Sequence, residues 1–84
     1  MLSEIRYEYE HNEDGDIIGS TGYENGRLFR EMHEVLDADG VMIGVIITEY
    51  DEDGSKTVFE YDEYMEYLGK TVFDATGAVI EKSE

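Results

Sequence analysis

One set of acidic residues in this sequence has the spacing of a calcium-binding loop. In an EF-hand, oxygen ligands at positions 1, 3, 5 and 12 surround Ca²⁺, and position 6 is glycine. The residues with that spacing are Glu49, Asp51, Asp53, Gly54 and Glu60. An EF-hand needs a helix on each side, whereas segments 45–48 and 57–59 are rich in β-branched residues. The pattern therefore indicates a hairpin turn, and we expect neither a metal nor a cofactor.

Residues for nucleophilic or acid–base catalysis form no recognisable pattern. His11 and His33 stand outside any motif that pairs a nucleophile with a base. Since 22 of the 84 residues are acids, pairs of carboxylates arise from composition alone and do not indicate a glycosidase. No glycine-rich loop followed by lysine is available to hold a phosphate. We expect a protein that is not an enzyme.

The net charge of −16 is the strongest functional signal in the chain. Such a polyanion repels nucleic acid and anionic membranes and is attracted to basic protein surfaces, which are typical of nucleic-acid-binding proteins. A dense group of acids with one tyrosine gives the candidate partner-binding residues Glu49, Asp51, Glu52, Asp53, Glu60, Asp62, Glu63, Tyr64 and Glu66. The alternative interpretation is a charged surface that serves solubility alone.

The elements that would position these residues are predicted to be short strands. Ile5, Tyr7 and Tyr9 alternate with polar residues, which is the period-two pattern of a strand with one apolar face. Turn signals separate further predicted strands at 17–23, 41–50, 56–61, 67–73 and 78–81. Segment 41–50 is the most apolar and is predicted to be central, with Gly44 at a bulge or a close-packing point. The expected fold is an all-β antiparallel meander of tandem hairpins.

Segment 27–36 supports two interpretations. Its apolar residues have the spacing of one helical face, and they are Leu28, Phe29, Met32, Val35 and Leu36. An internal repeat instead aligns part of this segment with the β-prone residues 57–61. A strand is favoured, and the alternative is an α+β fold with one helix at 27–36 packed on the sheet.

The internal repeat has a period of 25 residues, marked by Gly19, Gly44 and Gly69. Each copy runs through an acid-rich turn, a short apolar pair, the glycine, a β-prone run and an acid. A repeat of this length indicates one supersecondary unit used several times. In the third copy, Met65 occupies the position of the turn glycines Gly15 and Gly40. The 84 residues are thus interpreted as one acidic β-hairpin-repeat domain, 1–84.

Parts of the chain resemble a known repeat family. The segments EYDEDG, EYDE and GKTVFDATGAVI, at 49–54, 60–63 and 69–80, resemble the YD-type β-hairpin repeats of the Rhs family. They are also similar to short tandem-hairpin antitoxin repeats. The resemblance implies a twisted antiparallel sheet of stacked hairpins and implies no catalytic residue.

In type, the chain resembles small acidic phage-encoded inhibitors of CRISPR and restriction enzymes, being short, single-domain and free of cysteine. The leading hypothesis is a non-enzymatic inhibitor that binds the basic nucleic-acid-binding surface of a target protein by nucleic-acid mimicry. The alternatives are an immunity or antitoxin protein that neutralises a cognate toxin, and a structural β-repeat module that oligomerises. Without a long apolar run at the N-terminus, the expected location is the cytoplasm, the host's if the protein is phage-encoded.

Overall fold

A computed structural model describes residues 4–83, which form one seven-stranded antiparallel sheet. The spatial order of the strands is their order in the chain, so every connection joins neighbours. The strands are β1 (Ile5–His11), β2 (Ile17–Glu24), β3 (Arg27–Leu36), β4 (Met42–Tyr50), β5 (Lys56–Asp62), β6 (Tyr67–Phe73) and β7 (Val79–Ser83). The predicted all-β meander is confirmed, with β4 as the central strand.

Strand β3 resolves the ambiguity at 27–36 in favour of a strand, and the alternative with a helix is wrong. Phe29 is an extra residue where the register shifts between the pairs Gly22–Arg30 and Tyr23–Leu28. A β-bulge of this kind interrupts the period-two alternation. In addition, the apolar residues of β3 are divided between the two sides of the sheet, with Phe29 and Met32 on one and Leu28 and Val35 on the other. Their helix-like spacing in the sequence therefore does not mark a single face.

Five of the six turns in residues 4–83 share one geometry. The first turn residue donates its N–H to the carbonyl of the fifth, and the fourth donates its N–H back to the carbonyl of the first; the first residues are Asn12, Asp37, Asp51, Asp62 and Asp74. The fourth residue has positive φ, for example 86° at Gly15 and 64° at Met65. The remaining turn is Asn25–Gly26, with φ of 52° and 84°, as a two-residue hairpin loop requires.

The 25-residue repeat also encodes a repeated β-bulge. An extra residue immediately precedes each repeat glycine, at Ile18, Ile43 and Leu68. At two of these glycines the neighbouring backbone lies very close to the position that a Cβ atom would take. A Cβ at Gly19 would lie 3.0 Å from the carbonyl oxygen of Met32, and one at Gly44 would lie 2.9 Å from that of Tyr61. Gly44 therefore stands at a bulge and at a close backbone approach, as predicted.

One face of the sheet carries the two buried apolar residues and more of the aromatic and aliphatic side chains than the other, and is called the apolar face. Directly paired residues place its members on the same side: Tyr7, Tyr9, Phe29, Met32, Val45, Ile47, Phe59, Tyr61, Tyr67 and Val72. Val45 and Ile47 on central strand β4 are the buried apolar residues, at 4% and 9% exposure. The other side is called the polar face. The hydrophobic core of the described chain is thus a single thin layer.

Truncation of Ile47 is expected to cost about 2–4 kcal/mol of unfolding free energy, because a buried aliphatic side chain leaves a cavity when cut to alanine. Ile46 lies on the polar face, half-buried and paired with His33 and Glu60. Ile46→Ala is the matched control and should cost clearly less. Urea unfolding of both variants measures the difference, and equal losses would contradict the assignment of the two faces.

Met65→Gly is expected to stabilise the protein by about 0.5–1 kcal/mol, because a side chain with positive φ is strained and glycine is not. For a domain of this size that gain raises Tm by roughly 2–8 °C. Met65→Ala keeps the Cβ atom and should show no such gain. Thermal unfolding followed by circular dichroism distinguishes them, and a glycine variant that melts below the parent protein would count against backbone strain at this turn.

Candidate functional site

Three acid-rich turns lie together at one end of the sheet, called the acidic end. Strands of a meander alternate in direction, so the turns 12–16, 37–41 and 62–66 all fall at the same end. Adjacent turns in this row are separated by two strand spacings, about 10 Å. The row contains no lysine or arginine and carries the acids Glu13, Asp14, Asp16, Asp37, Asp39, Asp62, Glu63 and Glu66.

The other three turns, 25–26, 51–55 and 74–78, form the opposite end, where both signs of charge occur. Arg27 and Lys56 begin strands β3 and β5 there. The acids at this end are Glu4, Glu24, Asp51, Glu52, Asp53 and Asp74. The molecule is therefore polarised along the strand direction, with uncompensated negative charge at the acidic end.

The first side chain of each turn at the acidic end is engaged by the backbone. Oδ1 of Asp62 accepts N–H groups from Tyr64 at 2.8 Å and from Glu66 at 2.9 Å. Asn12 and Asp37 make the equivalent pairs of hydrogen bonds. In contrast, Glu63 and Glu66 are exposed and form no side-chain hydrogen bond or ion pair with other described residues. Asp62 thus shapes its turn, whereas Glu63 and Glu66 are available to a partner.

The structure divides the predicted partner-binding residues into separate groups. Asp62, Glu63, Tyr64 and Glu66 lie together at the acidic end, and Asp51, Glu52 and Asp53 lie at the opposite end. Glu49 is on the apolar face opposite Arg30, whereas Glu60 is on the polar face opposite Ile46. In a meander, consecutive turns lie at opposite ends of the sheet. A high density of acids along the sequence therefore did not predict that their side chains lie close together in space.

Five acids of the acidic end were not among the predicted partner-binding residues: Glu13, Asp14, Asp16, Asp37 and Asp39. The signal that could have found them is the 25-residue repeat. Each repeat contains two strands, so equivalent turns necessarily fall at the same end of the sheet.

Tyr64 is the most exposed large apolar residue of the described chain, at 77% exposure. It occupies the tip of turn 62–66 beside Met65, which is also exposed. Tyrosines placed in this way are frequent anchors of protein interfaces. The acidic end thus combines unpaired carboxylates with one aromatic side chain that a partner could bury.

The calcium-like spacing at 49–60 corresponds to a hairpin turn between β4 and β5, as the sequence indicated. Oγ of Ser55 lies 2.6 Å from Oδ1 of Asp53 and 3.0 Å from Oδ2 of Asp51, and its single proton is donated to the carboxylates of this turn. The hydroxyl, followed by the Ser55 backbone N–H, lowers the pKa of Asp53 below its usual value. Residues 4–83 contain no group of three or more His, Cys, Asp or Glu side chains arranged to hold a metal ion.

A second cluster of titratable groups lies on the polar face. The Tyr50 hydroxyl donates to Oε1 of Glu31, and Nε2 of His33 lies 3.2 Å from the other carboxylate oxygen. The hydrogen bond to Glu31, then burial and then the charge of Glu31, raises the pKa of Tyr50 to about 12. The same hydrogen bond is the main reason why the pKa of Glu31 is lowered. The hydrogen bond between Tyr50 and Glu31 thus links strands β3 and β4 on the polar face.

Tyr50→Phe is expected to destabilise the protein by about 1 kcal/mol at neutral pH, because it removes a hydrogen bond to a charged acceptor at a partly exposed site. The lowered pKa of Glu31 makes this contribution fade as pH falls through that folded-state value. The raised pKa of Tyr50 makes it fade as pH rises through about 12. Urea unfolding at acidic, neutral and alkaline pH measures the difference.

Tyr61→Phe is the matched control for Tyr50→Phe, since the Tyr61 hydroxyl has no hydrogen-bond partner among the described residues. It should leave the unfolding free energy nearly unchanged at neutral pH. A difference between the parent protein and Tyr50→Phe that did not change with pH would contradict the role of the Glu31 carboxylate.

Comparisons with protein-family models, curated proteins and solved structures found no match to this chain. The architecture of seven antiparallel strands is compatible with the tandem hairpins that the YD-type resemblance implies. In residues 4–83 there is no helix with the length and hydropathy needed to cross a membrane.

Proposed function

We propose that this protein is a non-enzymatic inhibitor whose acidic end binds the basic nucleic-acid-binding surface of a target protein. The observation that supports the proposal most directly is the row of three equivalent acidic turns without a lysine or arginine. Self-repulsion among so many carboxylates opposes folding. The concentration of carboxylates at one end is therefore easier to explain if a positively charged partner compensates their negative charge.

The charge density of the acidic end is close to that of a nucleic acid. Three turns about 10 Å apart span about 20 Å. The eight carboxylates on this row amount to about one charge per 2.5 Å, compared with about one per 1.7 Å along duplex DNA. A groove lined with lysine and arginine that accepts a phosphate backbone would attract this row through the same long-range electrostatics.

In this proposal, Tyr64 gives the acidic end a source of affinity beyond charge. Exposed ion pairs contribute little individually, and their main effect is on association rate and specificity. A buried aromatic side chain contributes more, because its whole apolar surface leaves water. The carboxylates would therefore steer the approach, and Tyr64 would slow dissociation.

Nucleases of phage-defence systems are the target class that fits both this chemistry and the resemblance to phage-encoded inhibitors. CRISPR effectors and restriction enzymes hold nucleic acid in strongly basic channels. In this proposal, the protein occupies such a channel, so the target can no longer bind its duplex.

The test is competition between this protein and a labelled DNA duplex for a panel of purified CRISPR effector and restriction nucleases, followed by fluorescence anisotropy. The protein is expected to displace the duplex from at least one nuclease, and less effectively as salt rises from about 50 to about 500 mM. Glu63→Lys at the acidic end should raise the inhibitory concentration about 5–10-fold, because it adds a like charge toward a basic surface.

Glu52→Lys is the matched control. Glu52 is the second residue of the turn that begins at Asp51, as Glu63 is of the turn that begins at Asp62. Each substitution changes the net charge by two, from −16 to −14, so only the end of the sheet differs. Equal effects of both substitutions would indicate general charge attraction. Absence of displacement from every nuclease in the panel would remove the proposed target class.

A further inference from the structure

The apolar face is uncovered within residues 4–83. Its central residues Val45 and Ile47 are buried by neighbours in the same sheet, whereas Tyr7, Tyr9 and Tyr67 are exposed. A sheet with one apolar face normally packs that face against a second layer. The described chain provides no such layer, because all seven strands belong to the one sheet.

The exposed area of the chain indicates how much surface a covering layer would bury. The protein exposes 6097 Å², whereas a compact folded monomer of 9.6 kDa exposes about 5,100 Å². The excess is about 1,000 Å². A stable protein–protein interface buries about 800 Å² on each partner. One further layer of similar size would thus bring the exposed area to that of an ordinary compact protein.

The charges of the apolar face show which partner fits it. Arg30 stands directly opposite Glu49, and Glu24 directly opposite Arg27. Lys70 and Glu81 form an ion pair, with 3.4 Å between Nζ and Oε2. Glu34, directly opposite Val45, is a further acid on this face. Among the described residues, the face thus carries four acids and three bases and is nearly balanced in charge, although the whole chain is strongly acidic. It therefore offers a basic partner no special attraction, and it does not repel a second copy of itself.

We propose that two copies of this chain pack their apolar faces together as a β-sandwich dimer. Sheets packed in this way lie about 10 Å apart with their strands inclined by about 30°. We place the two-fold axis between the sheets and perpendicular to the strands. That axis brings the acidic end of each copy over the opposite end of the other, where Arg27 and Arg30 lie on the apolar face. An axis parallel to the strands would instead superpose the two acidic ends.

Sedimentation equilibrium of the full chain tests the proposal by measuring its mass in solution. Protein concentrations from about 1 μM to about 1 mM cover a span of about 4 kcal/mol in binding free energy. The expected result is a mass near twice 9.6 kDa at the upper concentrations. Tyr9→Lys and Tyr67→Lys should each raise the dimer Kd about tenfold or more, since each substitution occurs twice in a two-fold interface.

Val79→Lys is the matched control. Val79 lies on the polar face opposite Phe73 and on edge strand β7; it is 57% exposed, compared with 55% for Tyr9 on edge strand β1. This control should change the dimer Kd by less than about twofold, as substitutions outside an interface generally do. Every lysine variant reduces the negative charge, so a general electrostatic effect would strengthen association rather than weaken it.

Circular dichroism shows whether each variant is folded. Tyr9→Lys is expected to fold, because every residue of β1 is exposed. A monomeric mass over the whole concentration range would overturn the proposal. An open-ended series of masses would also overturn it, because that is the signature of β1 pairing with β7 of the next copy. A dimer equally stable in the folded Tyr9→Lys and Tyr67→Lys variants would exclude the apolar face as the interface.

Discussion

The positive-φ residue at the fourth position of the tight turns is the constraint on which the rest of the sheet depends. In these turns the chain reverses within five residues through one residue in the left-handed region, and glycine adopts that conformation without a steric cost. The first side chain then fixes the reversal by accepting backbone N–H groups, as Asp37 and Asp62 do. Because each turn reverses the chain so closely, each strand pairs with the one before it. The meander follows, as does the division of its turns between two ends.

A single-layer sheet of this kind is stabilised mainly by contacts between neighbouring strands. Each strand contacts only its sequence neighbours among the described residues. The apolar layer protects the backbone hydrogen bonds of β3, β4 and β5, whereas β1 and β7 are exposed along their whole length. Opening of the sheet is therefore expected to start at its edges and to reach β4 last, as in repeat proteins with nearest-neighbour contacts. Because all seven strands belong to one sheet, a large apolar surface is left exposed, and this is the surface that the proposed dimer would cover.

Much of the fold was predictable because the relevant signals are local. The turn residues around Gly15, Gly40 and Asn25–Gly26 specify reversals whatever surrounds them, and alternation in Ile5–Tyr9 specifies a strand. The helix-like spacing at 27–36 misleads because the apolar residues of β3 are divided between both sides of the sheet and interrupted by the bulge at Phe29. Both features arise from the pairing with β2 and β4 and leave no signature in one strand. The candidate site was harder to predict for the same reason. Glu52 and Glu63 are close in sequence, yet strand β5 separates them in space.

Each repeat consists of two strands, so a protein of this kind can change in length by whole hairpins. One 25-residue unit adds a complete hairpin and returns the chain to the end where it started. A duplicated unit would therefore widen the sheet without reversing its polarity, and its acidic turn would join the existing row. The length of the charged row and the width of the apolar face would grow in fixed proportion, by the same genetic event. Duplication or loss of whole units could thus match this surface to a longer or a shorter groove.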